Sequence, residues 1–346
     1  MKKIYLLIDY KERFGSKYSA EPYRSGMDKR LLARYFNNSG YDAKYLNFSR
    51  VNFREIDFRG VPVLYTSQED WGYHYKSYIE DIVLGLELHG AKVIPSYRYL
   101  RANNNKVFME ILRDQLKDEG IKTIKSFHFG CLEELKANID TFEFPVVIKS
   151  AAGAMSTGVY LAHNKKELIK YAKIISRTKF IKQEIKDIGR AYKHKKYIRE
   201  SRYREKYIIQ NYILNLVNDW KIIVFGERYY ILYRGIKNGD FRASGSHIFE
   251  FNKDDLIPTG IFDFAKKIYD IFDIPNLSLD IGFDIKEFHL IEFQAIYFGT
   301  STMEKSNGFF KKKDNSWEKV VDKLPLEKVY VDSIKYYITG NNGKQL

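Results

Sequence analysis

Two apolar segments within residues 279–294, separated by a short polar turn, constrain this chain most. They carry three oxygen-bearing side chains, namely Asp280, Glu292 and Gln294. Because alternate residues of a strand share a face, Glu292 and Gln294 should point the same way, while Ile291 and Phe293 point into a core. Such oxygens suit Mg²⁺, which leaves its remaining positions to water and nucleotide phosphates. The alternative is an ordinary hairpin with a polar, solvated face.

The size and composition of the chain indicate a globular protein. It has 346 residues, of which 45% are hydrophobic and 16% aromatic, and this length suffices for about two or three domains. No apolar run approaches the roughly 20 residues of a transmembrane helix. A single cysteine, Cys131, excludes an internal disulfide framework and fits a reducing compartment. We therefore expect a cytoplasmic enzyme or binding protein without a membrane span.

The charge of the chain is strongly positive. Its 58 Lys and Arg against 44 Asp and Glu give a formal net charge of +14, which favours anionic partners such as nucleotides, phosphorylated or carboxylate substrates, or nucleic acid. Part of the excess can be solvated lysine without a function. A basic and aromatic block lies between Lys182 and Lys206. It is either a mobile loop over an acidic substrate or a solvated surface excursion or helix face.

Strands and helices alternate in the N-terminal part of the chain. Strands are predicted over residues 4–8, 43–48, 61–65 and 91–95, and helices over residues 29–38 and 78–89. This alternation predicts a parallel, doubly wound sheet. The next helix begins after the cap Asn103-Asn104-Asn105, with Lys106 in its first turn. A lysine there opposes the helix dipole, so an anion nearby would explain it.

A hairpin with a long tip of small residues follows. Its strands are predicted over residues 144–149 and 159–162, and the tip over residues 151–158 is almost entirely Ala, Gly, Ser and Thr. Such a tip lets backbone amides approach phosphate oxygens, although flexible turns also have this composition. Lys149 ends the first, apolar strand, where a buried ammonium needs an anionic partner.

The rest of the chain is predicted to form further strands and two helices. The strands cover residues 206–212, 220–225 and 229–233, the helices cover residues 262–272 and 329–339, and a basic loop contains Lys311, Lys312 and Lys313.

The order and spacing of these pieces resemble the ATP-grasp superfamily, in particular its ribosomal-protein glutamate ligases, amino-group-carrier ligases and glutathione synthetases. The resemblance covers residues 75–340. It rests on Asn105-Lys106, Val147-Ile148-Lys149 with the flap through Gly158, Ile209-Gln210-Asn211-Tyr212-Ile213, Asp219-Trp220-Lys221, Arg234 with Gly239-Asp240-Phe241-Arg242, and Asp280, Glu292 and Gln294.

The resemblance implies an α/β fold with α+β lobes, in which ATP binds between two lobes that follow a Rossmann-like pre-ATP-grasp domain. It implies three domains. These are the N-terminal domain over residues 1–102, a small lobe over residues 103–205 with the flap and a basic insertion (182–206), and a large lobe over residues 206–346 with the metal and substrate site.

The resemblance also implies a role for individual residues. Contacts to ATP are implied for Lys106, Lys149, Gly153, Ser156, Thr157, Gly158, Gln210, Asn211, Tyr212, Ile213, Asp219 and Lys221. Arg234 and Arg242 would act with Lys149 in catalysis, holding phosphate or the substrate carboxylate. Asp280, Glu292 and Gln294 would hold one or two Mg²⁺ ions, with Mn²⁺ as the alternative ion.

The chain departs from the family pattern at four places, of which the loop over residues 295–301 normally shapes the acceptor pocket in the family. Gln294 replaces the usual Asn, Ser244 and Ser156 stand at positions usually held by Asn and Gly, and residues 295–301 lack the usual Pro-Gly. The resemblance therefore supports the assignment of the nucleotide site more strongly than the assignment of any substrate.

The implied function is an ATP-dependent ligase that joins a small-molecule or peptide carboxylate to an amine through an acyl phosphate. A homodimer is the family default, and nucleic acid is not expected as a partner. One alternative keeps the fold but makes the protein a small-molecule kinase. Another is a nucleotide-sensing or nucleic-acid-binding module built on residues 182–206 and 311–313, with Tyr192, Tyr197 and Tyr203 stacking on bases.

Overall fold

The computed structural model of the chain describes residues 1–68, 70–153, 158–243 and 245–340, with only the main chain of Trp71. The strands of this part are β1 (Lys2–Ile8), β2 (Tyr41–Asn47), β3 (Pro62–Tyr65), β4 (Lys92–Ile94), β5 (Ser126–Phe129), β6 (Val146–Ser150), β7 (Val159–Ala162), β8 (Tyr207–Asn211), β9 (Asn218–Phe225), β10 (Arg228–Gly235), β11 (Phe249–Phe251), β12 (Asn276–Phe283), β13 (Phe288–Gln294), β14 (Phe309–Lys313) and β15 (Ser316–Val320). The α-helices are α1 (Lys29–Asn38), α2 (His74–Leu88), α3 (Tyr97–Ala102), α4 (Lys106–Asp114), α5 (Leu132–Ala137), α6 (Lys165–Ile175), α7 (Ile181–Lys193), α8 (Ile261–Phe272), α9 (Ser301–Lys305) and α10 (Leu326–Ile338).

The N-terminal domain is a parallel sheet with helices on both faces. Its four strands run in the order β2-β1-β3-β4. Successive residues of β1 point to opposite faces, so Leu6 packs with Leu32 of α1 while Leu7 packs with Ile79 of α2. Helix α1 begins at the residue after Asp28, whose side chain accepts hydrogen bonds from the Arg30 and Leu31 amides. The doubly wound sheet predicted from the sequence is confirmed.

The sheet that carries the flap, which we call the small lobe, is antiparallel and includes β8, so it extends past the predicted boundary at residue 205. Its strand order is β5-β8-β6-β7, and helices α5 and α6 cover one face with an apolar core that includes Ile148 and Leu168. Strands β6 and β7 form the predicted hairpin, with Lys149 opposite Val159. The strand β8 next to β6 leads into the segment that the resemblance assigns to adenine.

The large lobe is a seven-stranded sheet in the order β13-β12-β9-β10-β14-β15, with β11 also paired to β10. One face packs on α8 and α4. The other face packs on α10 and the N-terminal domain. The predicted basic loop at Lys311–Lys313 is wrong, because these residues belong to β14 and pair with β15. Lys311 and Lys312 stay partly exposed on opposite faces of the strand, where they pair with Glu227 and Asp263.

A β-bulge interrupts the hairpin of β12 and β13. Asp280 faces Glu292, but the next pair is Ile281 and Leu290, so Ile291 is an extra residue. Leu290 and Phe293 are 1% and 4% exposed in the core, whereas Ile291 is only half-buried. The prediction that Ile291 points into the core is wrong for this reason. The bulge lets core residues lie on both sides of Glu292 while its carboxylate stays on the face of Asp280.

The basic block at 182–206 contains helix α7 and an irregular return segment. Of the two interpretations of this block, the helix face is confirmed. Tyr197 donates a hydrogen bond to Asp187, and Tyr203 packs on the small-lobe core. Of the three tyrosines considered for base stacking, Tyr192 is thus the one that is exposed.

Among the described residues, no helix combines the length and the apolar character needed to cross a lipid bilayer.

Candidate active site

The first turn of α4, the base of the flap and strand β13 meet at one point. The Lys106 amide donates to the Ala151 carbonyl at 2.8 Å. Its ammonium donates to the Gly153 carbonyl at 3.0 Å and lies 3.9 Å from a Glu292 carboxylate oxygen. The helix begins here because the Asn105 side chain caps the Phe108 amide. The structure therefore brings together Lys106, the flap and Glu292, as predicted.

Lys149 lies at the same point, on β6. Burial lowers the pKa of the Lys149 ammonium to about 8, while Glu292 and Glu110 oppose this decrease and Lys106 adds to it. Two ammonium groups thus lie near the same half-buried carboxylate, that of Glu292. A phosphate placed between them would supply the missing negative charge.

Gly158 lies at the β7 end of the flap, and the backbone at this position does not accommodate a larger residue. Its φ is +71°, and a Cβ there would lie 2.5 Å from the Ser150 hydroxyl oxygen. Of the other flap residues assigned to ATP, Gly153 accepts the Lys106 bond, whereas Ser156 and Thr157 lie outside the described residues, as does Ser244.

A row of alternating charges crosses β12, β9 and β10 behind Glu292. The Arg234 guanidinium lies 2.5 Å from Asp219 and 2.9 Å from Asp280, and the Lys221 ammonium lies 3.3 Å from Asp280. The row forms because Lys221 faces Asp280 and Arg234 faces Asp219 across neighbouring strands.

These contacts and burial shift the pKa values of Asp280 and Asp219 in opposite directions. Burial raises the pKa of Asp280, but Arg234 and Lys221 outweigh it and hold this pKa at about 2. Burial dominates at Asp219, whose pKa is raised to about 6 although Arg234 opposes the increase. Burial also disfavours the Arg234 cation, yet Asp280 and Asp219 raise its pKa above the ordinary value. Asp280 is therefore ionised at neutral pH, as a cation ligand must be.

The two arginines that the resemblance places on phosphate or substrate differ in their surroundings. Arg234 is held between two carboxylates, so in this geometry it positions Asp280. Arg242 forms a two-pronged pair with Asp240, with both N–O distances 2.9 Å, and it stays about one-third exposed. The described contacts do not bring Arg242 into the row of charges around Asp280.

The oxygen donors on β12 and β13 fit a hard divalent cation. Asp280 faces Glu292, and Gln294 faces Ser278, whose buried hydroxyl has no hydrogen-bond partner among the described residues. All of these donors are oxygens, the ligand type of Mg²⁺ and Mn²⁺. Ser278 is an additional polar group that sequence reasoning missed. It occupies the same face as Asp280, two residues earlier in the strand.

The predicted adenine-binding segment begins at the end of β8. Gln210 is buried, and its side-chain amide donates to Glu110 at 3.1 Å, so this side chain holds the segment against α4. Asn211, Tyr212 and Ile213 follow it directly. Recognition of adenine by their main chain stays a prediction.

A buried ion pair between Arg113 and Glu110 contacts the main chain of the site, and sequence reasoning missed it. Arg113 is 0% exposed; it pairs with Glu110 and donates to the Leu290 and Ile291 carbonyls at 3.1 and 3.4 Å. Its side chain therefore binds the main chain of the bulge that directs Glu292. The sequence signal was a glutamate and an arginine three residues apart on the apolar face of α4.

Comparison with known proteins finds a family whose model matches part of this sequence. Residues 109–247 match the family model of the RimK-like ATP-grasp domain, which includes the flap, the β8 segment and both arginines. Residues 109–247 therefore belong to an ATP-grasp domain. This confirms the superfamily predicted from the sequence, and the predicted class of enzyme, an ATP-dependent ligase, agrees with it.

Solved structures show the same fold over nearly the whole chain. D-cycloserine synthetase DcsG superposes with a TM-score of 0.53 at 10% identity, covering 96% of this chain and 98% of that one. A RimK domain ATP-grasp protein from Sphaerobacter thermophilus gives 0.50 at 12% identity, covering 96% and 99%. N5-carboxyaminoimidazole synthetase from Staphylococcus aureus gives 0.50 at 10% identity, covering 88% and 74%. No curated protein sequence matches the chain.

Proposed function

We propose that this protein is an ATP-dependent carboxylate–amine ligase that forms an amide through an acyl phosphate. The observation that carries the proposal is that two lysines, Lys106 and Lys149, lie next to Glu292, which faces Asp280 across paired strands. Positive groups for phosphate and oxygen ligands for a divalent cation lie side by side there. The synthetase names of two of the structures that share the fold agree with it.

The reaction needs positioning and charge neutralisation rather than a protein nucleophile. An oxygen of the substrate carboxylate attacks the γ-phosphorus of ATP, the bond to the β-phosphate oxygen breaks, and ADP leaves. The amine nitrogen then attacks the acyl carbon, inorganic phosphate leaves, and the amine loses a proton to solvent. Lys106 and Lys149 offset the charge of the transferred phosphoryl group.

The remaining site residues hold the nucleotide and its cation. Asp280, Glu292 and Gln294 would hold Mg²⁺, which when bound supplies positive charge at the ATP phosphates. Arg234 and Lys221 keep Asp280 ionised and oriented. The flap from Gly153 to Gly158 would cover the phosphates with main-chain amides.

Product analysis tests the proposal. Purified protein with Mg²⁺ and ATP is incubated with panels of carboxylic acids and amines, alone and in pairs. We expect ADP, phosphate and amide in equal amounts only when both an acid and an amine are present. A stable phosphorylated compound formed without an amine would instead show a kinase, and absence of ADP and amide with every pair would contradict the proposal.

The pKa of Lys149 predicts an alkaline limit on nucleotide capture. The ammonium is needed in its charged form, so kcat/KM for ATP should fall as pH rises through about 8, the pKa of Lys149 in the free protein. Lys149→Arg keeps its charge at this pH and should move the limit upward, even if the maximal rate drops. The exposed Lys286→Arg is the matched control. An identical alkaline limit in Lys149→Arg would show that another group titrates.

A further inference from the structure

Helix α7 turns its apolar stripe away from the protein. The stripe consists of Ile181, Ile185, Ile188 and Tyr192, which lie on one face because they are four, three and four residues apart. Their exposed fractions are 69%, 64%, 47% and 94%. The side chain that α7 buries is instead Asp187, 5% exposed. An amphipathic helix at a protein surface normally does the reverse, so α7 has an apolar face that the chain itself leaves uncovered.

Polar contacts fix α7 in this orientation. The Asp187 carboxylate accepts hydrogen bonds from the Tyr197 hydroxyl and, at 3.0 Å, from the Glu200 amide. Glu184, one turn earlier, pairs with Arg177 and with Arg202. Turning the isoleucines inward would break these contacts and expose the carboxylates, so the outward stripe is built into the segment.

The exposed charges of residues 179–199 are all basic, and the exposed Glu200 follows directly after them. Between residues 179 and 199 they are Lys179, Lys182, Lys186, Arg190, Lys193, Lys195, Lys196 and Arg199, while both acidic residues of this stretch face the protein. Two further apolar side chains extend the stripe at its ends, Phe180 at 69% and Ile198 at 89% exposure. We name this surface, residues 179–199 with the outward stripe, the α7 face.

The basic charge and the exposed apolar stripe of the α7 face together favour one kind of partner over the others. A second copy would bring one basic surface against another, and a nucleic acid would leave the isoleucines in water. A peptide would need a groove, but the stripe is exposed to solvent, and the two best-defined cavities in the described part of the chain are lined by other residues. A bilayer with anionic headgroups takes up protruding apolar side chains between its lipids and attracts lysines to its surface. We propose that the α7 face docks the protein peripherally onto anionic membranes.

Sedimentation with vesicles tests the proposal on the full chain. We expect the protein to bind vesicles of phosphatidylcholine mixed with phosphatidylglycerol, more weakly as salt rises, and not vesicles of phosphatidylcholine alone. Ile185→Ser with Ile188→Ser should lower the partition coefficient at least about tenfold, because two apolar anchors are lost. Leu88→Ser, at a position 78% exposed on α2, is the matched control and should bind like the unchanged protein.

Reversing the charge of two lysines is the second test of vesicle binding. Lys182→Glu with Lys186→Glu should abolish the preference for anionic vesicles, whereas Lys286→Glu, far from the α7 face in sequence, should retain it. Circular dichroism and ATP turnover should be unchanged in all four variants, since none of these residues belongs to the active site.

Other outcomes would overturn the proposal. These are no binding to anionic vesicles, binding that survives the isoleucine changes, and a dimer in solution that the isoleucine changes convert to a monomer. Isoleucine-dependent capture of an acidic helical peptide without vesicle binding would assign the α7 face to a protein partner, and tight RNA binding insensitive to the isoleucine changes would assign it to nucleic acid.

Discussion

Replacing Arg113 by Met is expected to lower the free energy of unfolding by about 3–5 kcal/mol, the usual cost of removing one partner from a buried ion pair. The substitution leaves the Glu110 carboxylate buried with Gln210 as its remaining described partner and removes the donor to the Leu290 and Ile291 carbonyls. Urea denaturation of the purified variant measures the loss.

Two further variants show whether the loss belongs to this network. Arg54→Met, at an exposed arginine, should stay within about 0.5 kcal/mol of the unchanged protein. Adding Glu110→Gln to Arg113→Met should recover part of the stability, because the uncompensated charge is gone. If the double variant is as unstable as the sum of the two single variants, Glu110 and Arg113 are not coupled.

Replacing Glu292 by Gln is expected to lower kcat at least about 10²–10³-fold, the scale seen when one preorganised electrostatic group is removed. Glu292 is 27% exposed and its described ion-pair contact, to Lys106, is a long 3.9 Å. The fold therefore depends little on its charge, and stability should change by less than about 1 kcal/mol. Single-turnover ATP cleavage and thermal melting measure the two effects.

The neighbouring Asp280 is the informative contrast. Asp280→Asn should lose activity as well, but it also leaves Arg234 and Lys221 facing a neutral amide in a buried row, so stability should fall clearly. Glu318→Gln on β15, outside the cleft, should change neither activity nor stability. Full turnover by Glu292→Gln would show that the reaction does not need Glu292 as a cation ligand. A large loss of stability in this variant would show that Glu292 supports the fold.

The elements of the fold were largely predictable because they depend on local periodicity. Helix α1 occupies the predicted residues, and the flap hairpin and the strands of Asp280 and Glu292 are where the patterns indicated. The β14–β15 hairpin was missed because three consecutive lysines hide the alternation of a strand whose opposite face is only half-buried. The candidate nucleotide-site residues were inferred from their order along the chain, which resembles a family, and their roles stay predictions.

Contacts between distant parts of the chain were not predictable in the same way. Arg234 looked like a ligand for substrate, yet its partners Asp219 and Asp280 come from two other strands. Ile291 followed the alternation of a strand, but a bulge removed it from the core. Both outcomes depend on register between strands, which local patterns do not fix.

The sequence by itself determined that Asp280, Glu292 and Gln294 lie on paired strands, that two lysines and a small-residue flap precede them, and that residues 182–206 are basic. Only the tertiary structure decided that a bulge held by Arg113 turns Glu292 toward Asp280, and that α7 buries an aspartate and exposes its isoleucines. Periodicity defines which residues share a face, but only packing decides which face is covered. Buried charges are likewise tolerated only where the fold supplies their partners.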